Sequence, residues 1–232
     1  MSRIEIEFFH DVICSFCFPM SYRMRQLQNL MPDVHIKHRS FALVKSEQDF
    51  ADMFGSREAA KTEILTHWDH ANQNDDLHRF QIEGMRKSTF PFPSSMNVLV
   101  ACKAAYFTAG EEAYWNAFDA LQKALFVESQ NIEAESVIFQ CIKDINIDFE
   151  KWKEYYRDSK SLEAVEEDLL LAESYGIESV PCLIINKTHK LGGALPLNEI
   201  INAVNKAASV SEEKEIPEGA ACKLEDGKFH CD

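Results

Sequence analysis

Cys14 and Cys17 stand where residues 4–9 alternate like a β-strand and residues 20–30 take up the apolar spacing of a helix, and nothing else in the chain restricts its fold as strongly. A strand feeding a C-x-x-C pair and then a helix sets the first cysteine against free backbone amides. The first turn of a helix leaves its N–H groups without intrahelical partners, and their partial positive charge favours a thiolate over a thiol. The thiolate is the reactive form in disulfide exchange. Cys14 is therefore the candidate nucleophile.

A chain of 232 residues, 46% of them hydrophobic, is long enough for one large domain or for a small domain with a second inserted in it. Its 24 basic residues against 38 acidic ones give a net charge of −14, which repels phosphate backbones and anionic lipid. Neither nucleic acid nor a membrane is expected as a partner. The first residues pass directly into a charged strand, without the apolar run of a signal peptide or a bilayer span, and this points to the cytoplasm. Seven cysteines in a reducing compartment imply redox or metal chemistry more than structural disulfides, and their odd number leaves at least one thiol free.

After the C-x-x-C helix, Pro32 and Asp33 break the chain and residues 34–41 alternate again, completing a β–α–β unit. From residue 55 to 175 the spacing turns helical, predicting helices over 60–71, 96–108, 113–126, 133–145, 149–157 and 161–175. Residues 88–95, rich in proline and serine, read as an extended connection leading to Asn97. Strand character returns at 180–185 and 190–192, followed by a helix over 197–208. The fold class is α/β: residues 1–54 and 176–208 form one discontinuous domain, 55–175 a mainly helical insertion, and 209–232 a mobile tail holding Cys222 and Cys231.

Pro181 at the head of a strand-like run needs a reason, since proline removes a ladder donor. The C-x-x-C pair after the first strand, the helical insertion, and Val180 and Pro181 before a hydrophobic strand together resemble the thioredoxin-fold DsbA family, and within it the cytosolic FrnE-type branch. Residues 9–13, 124–132 and 193–196 add to the likeness, which runs over residues 4–208. The resemblance implies a thioredoxin-like fold with a mainly helical inserted domain, and thiol:disulfide oxidoreductase or isomerase activity on protein or small-molecule thiols. It implies no cofactor beyond the redox pair, with glutathione as a candidate co-substrate.

It further implies a cis Val180–Pro181 peptide packed against the Cys14–Cys17 disulfide. Val180 then offers its N–H and C=O to an extended substrate, and Cys17 resolves the mixed disulfide formed at Cys14. Ser15 and Phe16, between the cysteines, contact substrate and tune the poise. Neither carries a charge comparable to a histidinium, so the pair is expected to be less oxidising than in relatives with histidine there.

Other residues carry two readings each. His10 reads as an exposed histidine at a strand end, or, with its ring turned inward, as a proton shuttle. Asn97 is a helix cap or, by resemblance, part of the substrate groove. Cys182 is a small buried hydrophobe or a thiol able to divert the Cys14 disulfide, whereas Cys102 and Cys141 read as core. Cys222 and Cys231 form a second dithiol or contact nothing. A zinc site would need a second ligand pair; Cys222, Cys231 and His230 could complete one, and His67 with His70 shares a helix face, but no metal is expected. The remaining functional alternatives are a glutathione-dependent isomerase or transferase, whose kappa-class and hydroxychromene carboxylate isomerase members share this architecture, and a redox-inactive peptide-binding chaperone.

Overall fold

The computed structural model describes residues 4–212 and the backbone of residues 222–225 and 228–231. A four-stranded mixed sheet lies at its centre in the order β2–β1–β3–β4. Strand β1 (Ile4–His10) runs parallel to β2 (Val34–Ser40), while β3 (Cys182–Ile185) is antiparallel to β1 and β4 (His189–Gly192) antiparallel to β3. With a strand on either side and helices over both faces, β1 is buried almost throughout, and even Glu7 is only 3% exposed.

Helix α1 (Cys17–Leu30) starts three residues earlier than the apolar spacing predicts. Pro19 falls in its first turn, where an N–H would have no intrahelical acceptor, so the ring is tolerated there.

Between β2 and β3 run eight helices: α2 (Glu47–Phe54), α3 (Arg57–Asn74), α4 (Ile82–Lys87), α5 (Met96–Ala109), α6 (Glu111–Phe126), α7 (Glu135–Lys143), α8 (Phe149–Arg157) and α9 (Ser159–Ser174). The sequence reading omits α2 and α4, which are too short to show a clear 3.6-residue repeat. The start of α2 is held by the Ser46 N–H, which donates to Asp49 Oδ2 at 2.9 Å.

An aromatic cluster joins the insertion to the redox helix, with Phe126 stacked on Phe18 of α1 at 5.3 Å and Trp68 edge-on to Phe126 at 4.9 Å. Arg23 of α1 adds a polar clamp. Its buried guanidinium donates to Asp76, Asn74 and the carbonyls of Ala194 and Leu195, tying α1 to the insertion and to the loop after β4.

Strand alternation gives the sheet two distinct faces. Ile6, Phe8, Leu183 and Ile185 join the main core with α1, whereas Phe9, Cys182 and Ile184 pack with Ala172 of α9 and with Ile177. Helix α10 (Leu197–Glu212) packs on α1 and continues past the predicted residue 208. Strands β5 (Cys222–Glu225) and β6 (Lys228–Cys231) form an antiparallel ribbon whose register sets Cys222 opposite Cys231. The expected tail of 209–232 thus begins too early, since residues 209–212 continue α10, and the reading of the Cys222 and Cys231 thiols as an exchanging or metal-binding pair lies outside the described residues.

Candidate functional site

Residues 11–16 link β1 to α1, and their hydrogen bonds fold Cys14 back over the start of the helix. The Cys14 N–H donates to the Asp11 carbonyl at 3.2 Å, and the Cys17 N–H lies 3.1 Å from the Cys14 carbonyl. The same Cys17 N–H reaches Cys14 Sγ at 3.2 Å, so a helix-terminal amide is aimed at the first sulfur. Cys14 is 5% exposed and Cys17 fully buried.

Burial pushes the Cys17 thiol well above its ordinary range, reinforced by its hydrogen bond to Cys14 and by the proximity of the Cys14 charge. The two sulfurs are thus unequal. One meets solvent and an amide donor, and the other is sealed beneath it as a thiol.

The second wall of the site comes from far along the chain. The Val180–Pro181 peptide is cis, and Cys14 Sγ donates to the Val180 carbonyl at 3.5 Å. The Phe9–Cys182 pairing between β1 and β3 brings Pro181 to the end of β1, and the Pro181 carbonyl accepts the Gly193 N–H at 2.8 Å. Ser15, Phe16 and Val180 are all half-buried at this edge.

Several candidate residues sit elsewhere than the sequence suggests. His10 is not an exposed strand-end residue: it is fully buried, and its Nε2 lies 3.0 Å from His38 Nδ1. The ring of Phe118 packs 3.9 Å from it, since α6 covers this end of the central strand. Burial lowers the pKa of both histidines well below the ordinary value, helped for His10 by His38 and for His38 by Arg25. Among the described residues, His10 Nδ1 and His38 Nε2 have no hydrogen-bond partner.

Asn97 does not cap α5. Ser95 holds the cap position and Asn97 is the second residue of the helix, exposed to solvent. Cys182, 1% exposed, points to the α9 face of the sheet, away from the face that joins Cys14 and Cys17, and burial raises its thiol pKa. Cys102 and Cys141 are buried among apolar side chains, with the Cys141 thiol pushed up to about 11 by desolvation. His67 and His70 are exposed on α3, and no group of three metal-ligating side chains occurs among the described residues.

The sequence reading passed over Asp11 and Ser95. Asp11 is fully buried; its Oδ1 accepts the Ile13 N–H at 3.3 Å, and its Oδ2 accepts the Leu43 N–H at 2.7 Å and the Ser95 hydroxyl at 2.6 Å. The one signal for it was a carboxylate set in the apolar run that leads into Cys14.

The sequence profile of the DSBA-like thioredoxin domain matches residues 5–205. A search of curated proteins returns no match. Among solved structures, a candidate protein disulfide isomerase from Nitrosomonas europaea aligns at a TM-score of 0.72 and 13% identity, over 92% of this chain and 100% of its own. The cytosolic disulfide reductase DsbM from Pseudomonas aeruginosa aligns at 0.65 and 13% identity, over 90% and 98%. A 2-hydroxychromene-2-carboxylate isomerase aligns at 0.67 and 13% identity, again over 90% and 98%. At such identities the structural likeness establishes the fold alone.

Proposed function

The chain belongs to the DSBA-like thioredoxin family of thiol:disulfide oxidoreductases, and on that premise we propose that Cys14 is its exchanging nucleophile and Cys17 its resolving thiol. The observation that carries this reading is the convergence of the Cys17 N–H and the Val180 carbonyl on Cys14 Sγ, above a Cys17 thiol that solvent does not reach. The amide donor stabilises negative charge on Cys14. In the oxidised form a substrate thiolate attacks Cys14, forming a mixed disulfide and releasing Cys17, and a second substrate thiolate then frees reduced enzyme and disulfide product. In the reduced form Cys14 attacks a substrate disulfide, and Cys17 ejects the substrate if no second substrate thiol does so first.

Val180 offers its backbone to an extended substrate, with Ser15, Phe16 and Pro181 forming the rest of the contact surface. Substrates are protein or small-molecule thiols and disulfides, with glutathione as co-substrate in the cytoplasm. The aligned cytosolic disulfide reductase has also been solved with GSH, which supports that choice. No described helix is long and apolar enough to cross a membrane. The two segments 1–54 and 176–208 form the catalytic domain in this reading, with 55–175 as the inserted one.

A titration of the protein against defined ratios of reduced and oxidised glutathione, with peptide mass mapping at each step, tests the reading. A reversible Cys14–Cys17 disulfide is expected. A stable glutathione adduct at Cys14 that never resolves would instead support a glutathione-dependent isomerase, a reading favoured by the 2-hydroxychromene-2-carboxylate isomerase alignment.

A further inference from the structure

Three cavities are lined by neither Cys14 nor Val180 nor Pro181, and they differ in what their polar groups have left to offer. The one of about 640 Å³ beside α3 holds Lys61, whose ammonium spends its three protons on the Ser88 carbonyl, the Ser88 hydroxyl and the Phe90 carbonyl at 2.6, 2.7 and 3.0 Å. The one of about 340 Å³ against β2 holds Lys37, Arg39 and Lys103, each paired with a carboxylate. The charges there are committed.

The third, of about 300 Å³, lies between α1 and α6. Its walls are apolar: Phe18 and the ring of Tyr22 from α1, and Val127 from the end of α6. Arg79, from the loop after α3, closes one side, with its guanidinium carbon 3.8 Å from the centre of the Phe18 ring and 5.3 Å from that of Tyr22. Arg79 Nε and Nη2 both donate to the buried Asp75 carboxylate, at 3.0 and 2.6 Å, which fixes the plane of the group. Its third nitrogen, Nη1, has no hydrogen-bond partner among the described residues, and neither has the Tyr22 hydroxyl.

The other charges of the lining are already answered. Asp119 accepts from Ser21 Oγ at 2.6 Å and from Arg25 Nε at 3.0 Å, and Lys123 pairs with Glu128. An entering molecule therefore meets an apolar wall and two unused polar groups, of which the guanidinium nitrogen can only donate. Its complement is an acceptor, and an anionic one makes the stronger bond to a guanidinium. The apolar walls favour a single charge, since a carboxylate costs less to take out of water than a phosphate dianion.

We propose that this cavity binds a small carboxylic acid with an apolar body, its carboxylate held by Arg79 Nη1 and the Tyr22 hydroxyl and its body laid against Phe18 and Val127. The volume stands at the lower end of ligand cavities and suits a free mono- or bicyclic acid. The site is separate from the one at which disulfides exchange and does not depend on that reading. Phe18 directly follows Cys17, so a bound acid rests against the first turn of the redox helix.

The probe is 2-naphthoate, titrated into the full-length protein at pH 7.5 and followed by calorimetry and by backbone amide NMR shifts. One saturable site is expected, with the shifts concentrated around Phe18, Tyr22, Arg79 and Val127. The uncharged 2-naphthamide should bind about tenfold more weakly or worse, as the loss of a charge-assisted hydrogen bond implies. R79K keeps a cation beside Asp75 but lacks the Nη1 donor, and should weaken 2-naphthoate about tenfold; Y22F should weaken it about threefold. V127D sets a carboxylate in the wall while leaving Arg79 and Asp75 in place, and should abolish binding.

Absence of saturable binding overturns the proposal. So does equal affinity for the amide, or binding that either R79K or V127D leaves unchanged. Shifts centred on Cys14 and Val180 would put the acid in the exchange site instead and overturn it too, as would displacement of 2-naphthoate by equimolar inorganic phosphate, which would make this a phosphate site. If R79K fails to fold, Y22F and V127D decide the matter.

Discussion

The two faces of the central sheet handle polar groups in opposite ways. On the α9 face, Glu7, Arg39, Asp168 and Lys103 form a linked set of ion pairs, with the Tyr175 hydroxyl donating to Glu7 at 2.9 Å and the Ser40 N–H to Asp168 at 2.7 Å. On the redox face and at its edge, Asp11 has no ion-pair partner among the described residues, and His10 and His38 satisfy only each other. A cysteine lies on each side: Cys182 among apolar side chains, and Cys14 under a helix amide. Charge that is paired locks structure, whereas charge left unpaired stays free to respond to pH and to neighbouring thiolates.

The largest effect that follows is on exchange. C14A should abolish disulfide exchange with oxidised glutathione, and C182A should leave its rate within about twofold of the wild type, given the usual independence of sites that share no partner. Loss of exchange in C182A would show that the two faces communicate in a way strand alternation does not provide.

Next in size is stability on the paired face. D168A leaves Arg39 and Lys103 facing each other without their shared carboxylate and strips the Ser40 N–H of its acceptor. Destabilisation of about 3 kcal/mol is expected, read from urea midpoints, with exchange per folded molecule retained.

Acid should act through the unpaired face. His10 and His38 are held neutral in the folded state, below the 6.5 of a free histidine, so on unfolding they take up protons once the pH drops below that value. Stability contributed by keeping them neutral is complete above pH 6.5 and is lost as the pH falls. Asp11 works the other way, because its folded pKa of about 6 exceeds the unfolded 3.8 and the native state gains a proton first. Two histidines against one carboxyl leave a net loss of stability as the pH falls below about 6. Urea unfolding at pH 7.5, 5.5 and 4.5 measures it, and a flat profile would mean that the histidine pair is not buried neutral.

The smallest change expected is the stability of C182A. Removing one buried sulfur from the α9 face should cost on the order of 1 kcal/mol, since the site loses little volume.

Much of this was legible because it is local. The strand, the C-x-x-C pair and the helix after it are adjacent in sequence, and the spacing of the longer helices marked the insertion between β2 and β3. Short helices escaped notice, as α2 and α4 show. Asn97 illustrates a different limit: it is a good capping residue, but Ser95 two residues earlier holds the cap position while its hydroxyl is committed to Asp11. A helix boundary can be read from local preference, but the partner that claims a side chain comes from elsewhere in the fold.

By itself the sequence determined the order of the longer elements, the position of Cys14 at a helix start, and the presence of Pro181 at the head of a later strand, because each follows from local periodicity and backbone chemistry. Only the tertiary structure decided that Val180 meets Cys14, that Cys182 faces away, that His10 turns inward to His38, and that Asp11 joins three segments. The pairing of β1 with β3 brings together residues more than 160 positions apart, and the side-chain alternation it imposes assigns each of them to a face.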